Sequence, residues 1–299
     1  MPLFAFFGSS ELSVRVLESL ESHGLLPALV VTAPDKPRGR GGEMQPNPVK
    51  AWALAHEIEA ITPTTLKDED LLQELGNTDW DVFIVAMYGK LIPEALLDMP
   101  RRGALNVHPS LLPRFRGPSP VLSAILEDER STGISIMRLT AQMDAGPVIA
   151  QARIELDEES WPPLGSEFET LLAQEGGNML AEVLPDWMKG EVDAQPQDES
   201  LATYTKKFSD EDARVQIVDE KGVPLTGAAA RAALCRIHAF DKSPRAHFFA
   251  TARSGKTMRV IITDATIGND QLIINKVMPE GKKEMAYEEF LRGGAVVEI

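Results

Sequence analysis

The stretch ALNVHPSLLPRFRG, Ala104–Gly117, closes an apolar run with Asn106-Val107-His108 and passes at once into a turn holding two prolines and two arginines. Side chains two apart on a strand point to the same side of it. In an open α/β sheet the space beyond the carboxyl ends of the strands is where ligands bind. This spacing therefore delivers an amide donor and a titratable imidazole to one place. Downstream, Asp144 precedes Ala-Gly-Pro in a tight loop between two apolar runs. A carboxylate there can orient an imidazole, fix its tautomer and stabilise its protonated form. Asn106, His108 and Asp144 converging would make an acyl-transfer set without a protein nucleophile: a donor for a developing oxyanion, a proton shuttle and an orienter.

Each of these residues also has a plainer reading. Asn106 can cap a turn, His108 can be a hydrogen-bonded core histidine, and Asp144 can be ordinary turn chemistry. Other chemistries have less support. There is no G-x-S-x-G, and the single cysteine, Cys235 in AALCRIHAF, reads as a small core residue and excludes an intramolecular disulfide. One His and one Asp fall short of the three or four ligands zinc takes, so no metal is expected. The first strand-to-helix turn, Gly8-Ser9-Ser10-Glu11, lacks G-x-G-x-x-G, which leaves dinucleotide binding unsupported.

The elements that position these residues follow from pattern. Apolar runs at Leu3–Phe7, Leu26–Thr32, Val82–Ala86 and Ala104–Val107 alternate with helical periodicity at Glu11–Ser22, Pro48–Glu57, Asp68–Leu75 and Val121–Glu127. That is the rhythm of a parallel α/β sheet. TGISIMRL and PVIAQARIEL read as further strands, and Glu167–Leu184 as a helix. After the polar segment KGEVDAQPQDES come a helix at Thr226–Ala239 and short strands at Ala246–Ala252, Met258–Asp264 and Gln271–Val277, the pattern of a small β-rich domain. The fold expected is α/β: a Rossmann-like open parallel sheet domain over residues 1–188, a linker at 189–203, and a smaller barrel-like (OB-like) domain over 204–299.

At 299 residues and 43% hydrophobic content the chain is long enough for two folded domains. No apolar run reaches membrane-spanning length and the start has no signal-peptide layout, so a cytoplasmic protein is expected. The net charge of −15 is uneven: residues 201–299 carry 15 Lys+Arg against 13 Asp+Glu, and residues 1–200 carry 15 against 32. Within the acidic part, APDKPRGRGGEMQPNPVK sets Lys36, Arg38 and Arg40 close together in a Gly/Pro-rich loop, with Lys50 at its end. Screening confines surface charge to roughly 8–10 Å, so such a patch can meet phosphates whatever the global sign.

In order along the chain, the start at Phe6–Ser10, VVTAPDKPRGRG, VAMYGKLIP, LNVHPSLLPRFRG, TGISIMRL, MDAGP, YTKKFSDEDARV, RIHAF and EGKKEM make a dense motif set. With it the sequence resembles the methionyl-tRNA formyltransferase family over nearly its whole length, most specifically over residues 80–150. The resemblance implies catalytic positions at Asn106, His108 and Asp144. It implies 10-formyltetrahydrofolate as formyl donor, held by Ser110, Leu111, Leu112 and Pro113 and by Tyr88, Gly89, Leu91 and Ile92. It implies initiator methionyl-tRNA as partner, met by Lys36, Arg38, Arg40 and Lys50; in the second domain Lys206, Lys207, Arg236 and Arg245 read either as phosphate contacts or as charges that solubilise the surface. A monomer is expected. The alternatives are a formyltransferase acting on a nucleotide-linked amino sugar, which would share the Asn/His/Asp set, and a catalytically silent folate- or RNA-binding module.

Overall fold

Strands apolar at every position need cover on both faces, and the computed structural model, which describes residues 2–38 and 43–298, puts such strands in the middle of a sheet. The strands of the amino-terminal part are β1 (Phe4–Phe7), β2 (Leu29–Val31), β3 (Lys36–Arg38), β4 (Glu43–Gln45), β5 (Glu59–Ile61), β6 (Val82–Val85), β7 (Ala104–His108), β8 (Thr132–Arg138) and β9 (Val148–Ile154). Seven form one sheet in the order β5-β2-β1-β6-β7-β8-β9. It is parallel from β5 to β7, and β8 and β9 continue it antiparallel. The chain winds outward from β1 in one direction to β2 and in the other to β6, which makes the crevice at the carboxyl ends of β1 and β6 the switch point of the fold. Four-residue runs such as FAFF and VFIV are buried throughout.

The chain divides into two units. The first comprises Met1–Gly117, Thr132–Ile154 and Glu169–Tyr204, and the second Pro118–Ser131, Glu155–Phe168 and Thr205–Ile299. The helices in chain order are α1 (Glu11–Ser22), α2 (Pro48–Ala55), α3 (Glu69–Gly76), α4 (Glu94–Leu97), α5 (Pro120–Leu126), α6 (Gly165–Lys189), α7 (Gly227–Ala239) and α8 (Tyr287–Arg292). The start of α1 is set by Ser10, whose hydroxyl accepts from the Ser13 N–H while Ser13 answers to the Ser10 backbone. One face of the sheet packs Phe7, Val31, Phe83 and Val85 against Leu71 and Leu75 of α3 and Leu96 and Leu97 of α4. In the second unit, β10 (His247–Thr251), β11 (Thr257–Gly268), β12 (Gln271–Pro279), β13 (Met285–Ala286) and β14 (Val296–Val297) form an antiparallel sheet in the order β13-β12-β11-β10-β14, with α7 against β11 and β12. Among the described residues no helix is long and apolar enough to cross a membrane.

The fold class agrees with the sequence pattern, and the differences are local. The segment read as a basic loop contains the β3–β4 hairpin. Strand β2 is only Leu29–Val31, because Leu26 is nearly half exposed and stays outside the ladder. Strands β5, β13 and β14 and helices α4 and α8 are too short for periodicity to reveal.

Two mid-helix glycines in α6 bring cover close to the sheet. Each costs about 1 kcal/mol of helix propensity relative to alanine. A Cβ on Gly176 would collide with Val107 Cγ1, and one on Gly177 would stand 2.6 Å from Ser19 Cβ in α1. Val107 lies between Asn106 and His108, so this contact sets the height of the strand that carries both. Gly176→Ala should therefore lower the urea midpoint, by roughly 1–3 kcal/mol of stability, although alanine is the better helix former. A raised midpoint would show that the contact has slack.

Candidate active site

His108 is the last residue of β7 and is 4% exposed. Its Nε2 lies 3.1 Å from the carbonyl oxygen of Phe115. A carbonyl only accepts, so Nε2 carries the hydrogen and Nδ1 is the ring's basic nitrogen. That nitrogen faces the Asp144 carboxylate, with Nδ1 3.8 Å from Oδ2. Burial pushes the imidazole below its ordinary value, while Asp144 and the Phe115 carbonyl pull the other way. Full burial can move a pKa by up to about 3–5 units and a nearby opposite charge by about 1–3, so burial prevails. At neutral pH His108 is an uncharged base beside an anion that stabilises whatever positive charge it gains.

Asp144 lies in the loop between β8 and β9, with its side chain 13% exposed. Its Oδ2 accepts a 2.7 Å hydrogen bond from the Gly117 N–H. The backbone around this contact is left-handed at non-glycine positions, with φ +50° at Asp144 and +59° at Phe115. Such conformations cost about 1–2 kcal/mol each and persist where surroundings over-determine them. Gly146 in the same loop has a steric reason, since a Cβ there would run into the Arg138 carbonyl oxygen. Asn106 is half-buried, and its side-chain amide makes no hydrogen bond among the described residues.

The turn after β7 is held from behind. The Ser135 hydroxyl on β8 donates to the Ser110 carbonyl (2.6 Å) and accepts from the Leu112 N–H (3.1 Å), and Gln151 Nε2 on β9 donates to the Leu112 carbonyl (2.8 Å). The Ser110 hydroxyl is turned inward to the Arg114 carbonyl (2.7 Å). Ser110 and Leu112 are buried, and Leu111 and Pro113 are half-buried. In the loop after β6, Tyr88 and Ile92 sink into the core, Tyr88 edge-on to Phe7 at 5.8 Å, while Gly89 and Leu91 are exposed. The Tyr88 hydroxyl is buried without a partner among the described residues, and burial raises its pKa to about 12. Lys90 ties the loop to the Pro63 and Thr64 carbonyls at 3.0 Å each.

The structure thus brings His108 and Asp144 together at the end of β7, where Asn106 also stands. The basic residues are more dispersed. Lys36 is exposed on β3, and Arg38 ends that strand. Lys50 is committed to Asp35 at 2.7 Å, and Arg40 lies outside the described residues. In the second unit Lys207 is exposed and Lys206 is bonded to Asp212. Arg236 is exposed and donates to the Arg214 carbonyl, and Arg245 is half-buried. Cys235 is 1% exposed and burial raises its thiol to about 11, so it is an inert core residue.

Sequence reasoning missed a set of supports in the first unit: Ser135, Gln151, Arg116, Gln197 and Glu199. Arg116 is 1% exposed and bonds Glu199 through two nitrogens, at 2.7 and 2.9 Å. The only available signal was an arginine between Phe115 and Gly117 in a run otherwise settling into a turn; Gln197, in a polar segment, gave none.

Comparison with known proteins places these residues in a family. Residues 3–183 match the formyl transferase family. The methionyl-tRNA formyltransferase of Chloroflexus aggregans is 36% identical to this chain, with 98% of both chains covered. That of Thermotoga maritima is 35% identical, over 92% of this chain and 84% of its own. Among solved structures, HypX from Aquifex aeolicus in complex with tetrahydrofolic acid superposes with a TM-score of 0.61 at 16% identity, over 97% of this chain and 47% of HypX, and so shares the fold.

The His108 environment has a measurable consequence. The folded chain holds this proton less readily than the unfolded chain, so His108 adds stability above its unfolded pKa of about 6.5 that is lost as pH falls below it. By NMR, with the signal identified by its loss in His108→Ala, the ring should titrate below about 6.5. Asp144→Asn should lower the midpoint further, because it removes the charge that favours the imidazolium. A rise on that substitution would mean that Asp144 does not act on the ring.

Proposed function

This chain belongs to the methionyl-tRNA formyltransferase family, and from that membership we propose how its residues move a formyl group from 10-formyltetrahydrofolate to the α-amino group of methionine esterified to initiator tRNA. The observation that carries the residue assignment is the meeting of a buried, singly basic imidazole with a carboxylate at the strand end where an unengaged amide stands.

The neutral amine attacks the formyl carbon, and charge builds on the formyl oxygen. Asn106 donates its side-chain N–H to that oxygen, a role worth about 10²–10³ in rate. The amine must lose a proton, and the folate nitrogen released when its bond to the formyl carbon breaks must gain one. His108 Nδ1 takes the first and returns it to the second, since Nε2 is occupied by the Phe115 carbonyl. Asp144 stabilises the imidazolium in between. An α-amino group with a pKa near 8 needs little help to deprotonate, so orientation matters more than basic strength.

The groups available for folate fit a flat, partly apolar ligand. Leu111 and Pro113 offer apolar surface on a turn whose hydrogen bonds are already satisfied from β8 and β9, so no ordering is needed on binding. Gly89 and Leu91 offer a second exposed surface, on a loop that Tyr88 and Ile92 root in the core. For the tRNA, exposed Lys36 with Arg38 and Arg40 is the leading phosphate contact, and Lys207 the counterpart in the second unit. Lys50 and Lys206 are secondary, because each is bonded to a carboxylate that RNA would have to displace.

Incubation with charged initiator tRNA and 10-formyltetrahydrofolate, followed by mass analysis of the released amino acid, should give formylmethionine. A parallel reaction offering amino-sugar nucleotides should give nothing; a formylated sugar alone would overturn the tRNA reading. Asn106→Ala should lower kcat by about 10² or more with little change in folate binding. Arg38→Ala with Arg40→Ala should raise KM for tRNA, increasingly with salt, and leave folate binding intact; equal loss of folate affinity would make the segment structural.

A further inference from the structure

The segment that follows α6 is bonded back onto the catalytic loops. Gln195 exchanges both backbone hydrogen bonds with Val148, at 2.7 and 2.8 Å. Two residues on, the Gln197 side-chain amide donates to the carbonyl oxygens of Asp144 (2.8 Å) and Gly146 (2.6 Å). Its Oε1 accepts from Arg116 Nε and Nη2, at 3.0 and 2.9 Å. Arg116 is held in turn by Glu199 and by the Tyr204 hydroxyl at 3.2 Å. The chain neighbours of Arg116 are the two residues that the catalytic pair leans on: Phe115, whose carbonyl takes the His108 Nε2–H, and Gly117, whose N–H meets Asp144. One amide therefore joins the loop carrying Asp144 to the loop carrying both anchors.

We propose that Gln197 is a positioning residue for formyl transfer, its amide clamping the Asp144–Gly146 backbone to Arg116 and so setting the distance between the Asp144 carboxylate and His108. This rests on the assignment of His108 and Asp144 made above. Asp144 occupies a left-handed conformation with an intrinsic cost, and both N–H groups of one amide are spent on holding that loop. Among the described residues, the charged groups in these hydrogen bonds and ion pairs include Asp144, Arg116 and Glu199. A misplacement of about 1 Å at a reacting centre costs on the order of 10² in rate, so a tether here acts on kcat without touching substrate.

The test uses the full chain and two substitutions. Gln197→Leu removes every hydrogen bond of the side chain. Gln197→Glu keeps its length and an acceptor for Arg116 but cannot donate to the two carbonyls. Both should lower kcat at least tenfold, keep KM for methionyl-tRNA and for 10-formyltetrahydrofolate within about twofold, and lower the NMR midpoint of His108, as expected when the carboxylate drifts away. Wild-type kcat in Gln197→Leu would overturn the proposal. So would recovery in Gln197→Glu, which would reduce Gln197 to a partner for Arg116, or a slow variant with an unmoved His108 midpoint. Asp144→Asn, measured alongside, separates the levels. If it is slow while Gln197→Leu is fully active, only the positioning role falls; if it is fully active, the catalytic assignment falls and the positioning role with it.

Discussion

A buried histidine that gives one nitrogen to a backbone carbonyl has a single nitrogen left for chemistry, and the bond from His108 to Phe115 imposes this condition on the site. The tautomer, the direction of the basic lone pair and the place where a proton can arrive all follow from it. To make that bond the chain must turn back on itself within a few residues of β7, which it does with Phe115 in a left-handed conformation. The turn holds because Ser135 and Gln151 satisfy its backbone from β8 and β9, and because Thr203 bonds Phe115 and Arg116 from beyond α6. The strand beneath is seated by the close approach of Gly176 to Val107. The geometry of His108 and Asp144 is a consequence of packing at a distance from the two side chains.

The electrostatics divide in the same way. Burial alone would leave His108 an indifferent base, and Asp144 alone would charge it; together they give a neutral ring in which a transient positive charge is supported. A second buried charge, the Arg116 guanidinium, would be prohibitive without partners and is stabilised by Glu199, Gln197 and Tyr204. That pairing lowers the Glu199 carboxyl below its ordinary range through its hydrogen bond to Arg116. Polar groups are thus concentrated behind His108 and Asp144, while Leu91 and Gly89 are exposed and Leu111 is half-buried.

At larger scale the charge is unevenly distributed along the chain. The first 200 residues are strongly acidic and would repel RNA if averaged, yet screening makes only the nearest charges count. The hairpin β3–β4 carries Lys36 exposed on its first strand. The second unit, built on an antiparallel sheet, also pairs Arg231 with Asp128 at 2.8 Å beside the inert Cys235. In the proposed roles, formyl transfer asks for rigid positioning and RNA contact for accessible cations, and these demands fall on different segments.

How much of this was legible beforehand depends on the range of the interaction involved. Asn106 and His108 could be placed on one side of a strand because a period of two is a property of the backbone itself, and runs such as VFIV declared their own burial. The ends of α1 and the existence of β8 and β9 were equally local matters, set by Ser10 and by apolar patterning. Asp144 was legible as a carboxylate in a turn, but only folding shows its Oδ2 beside His108 Nδ1, 36 residues away in sequence. Arg116, Gln197 and the α6 glycines escaped for a related reason: a residue whose partners lie 50 or more positions distant carries no periodic mark. The sequence by itself determined the types of group and the elements that bear them, because propensity and amphipathic period act over a few residues. Tertiary structure alone decided which nitrogen of His108 is basic, which carboxylate faces it and what holds the two apart, because those are set by loop closure between segments the chain does not place side by side.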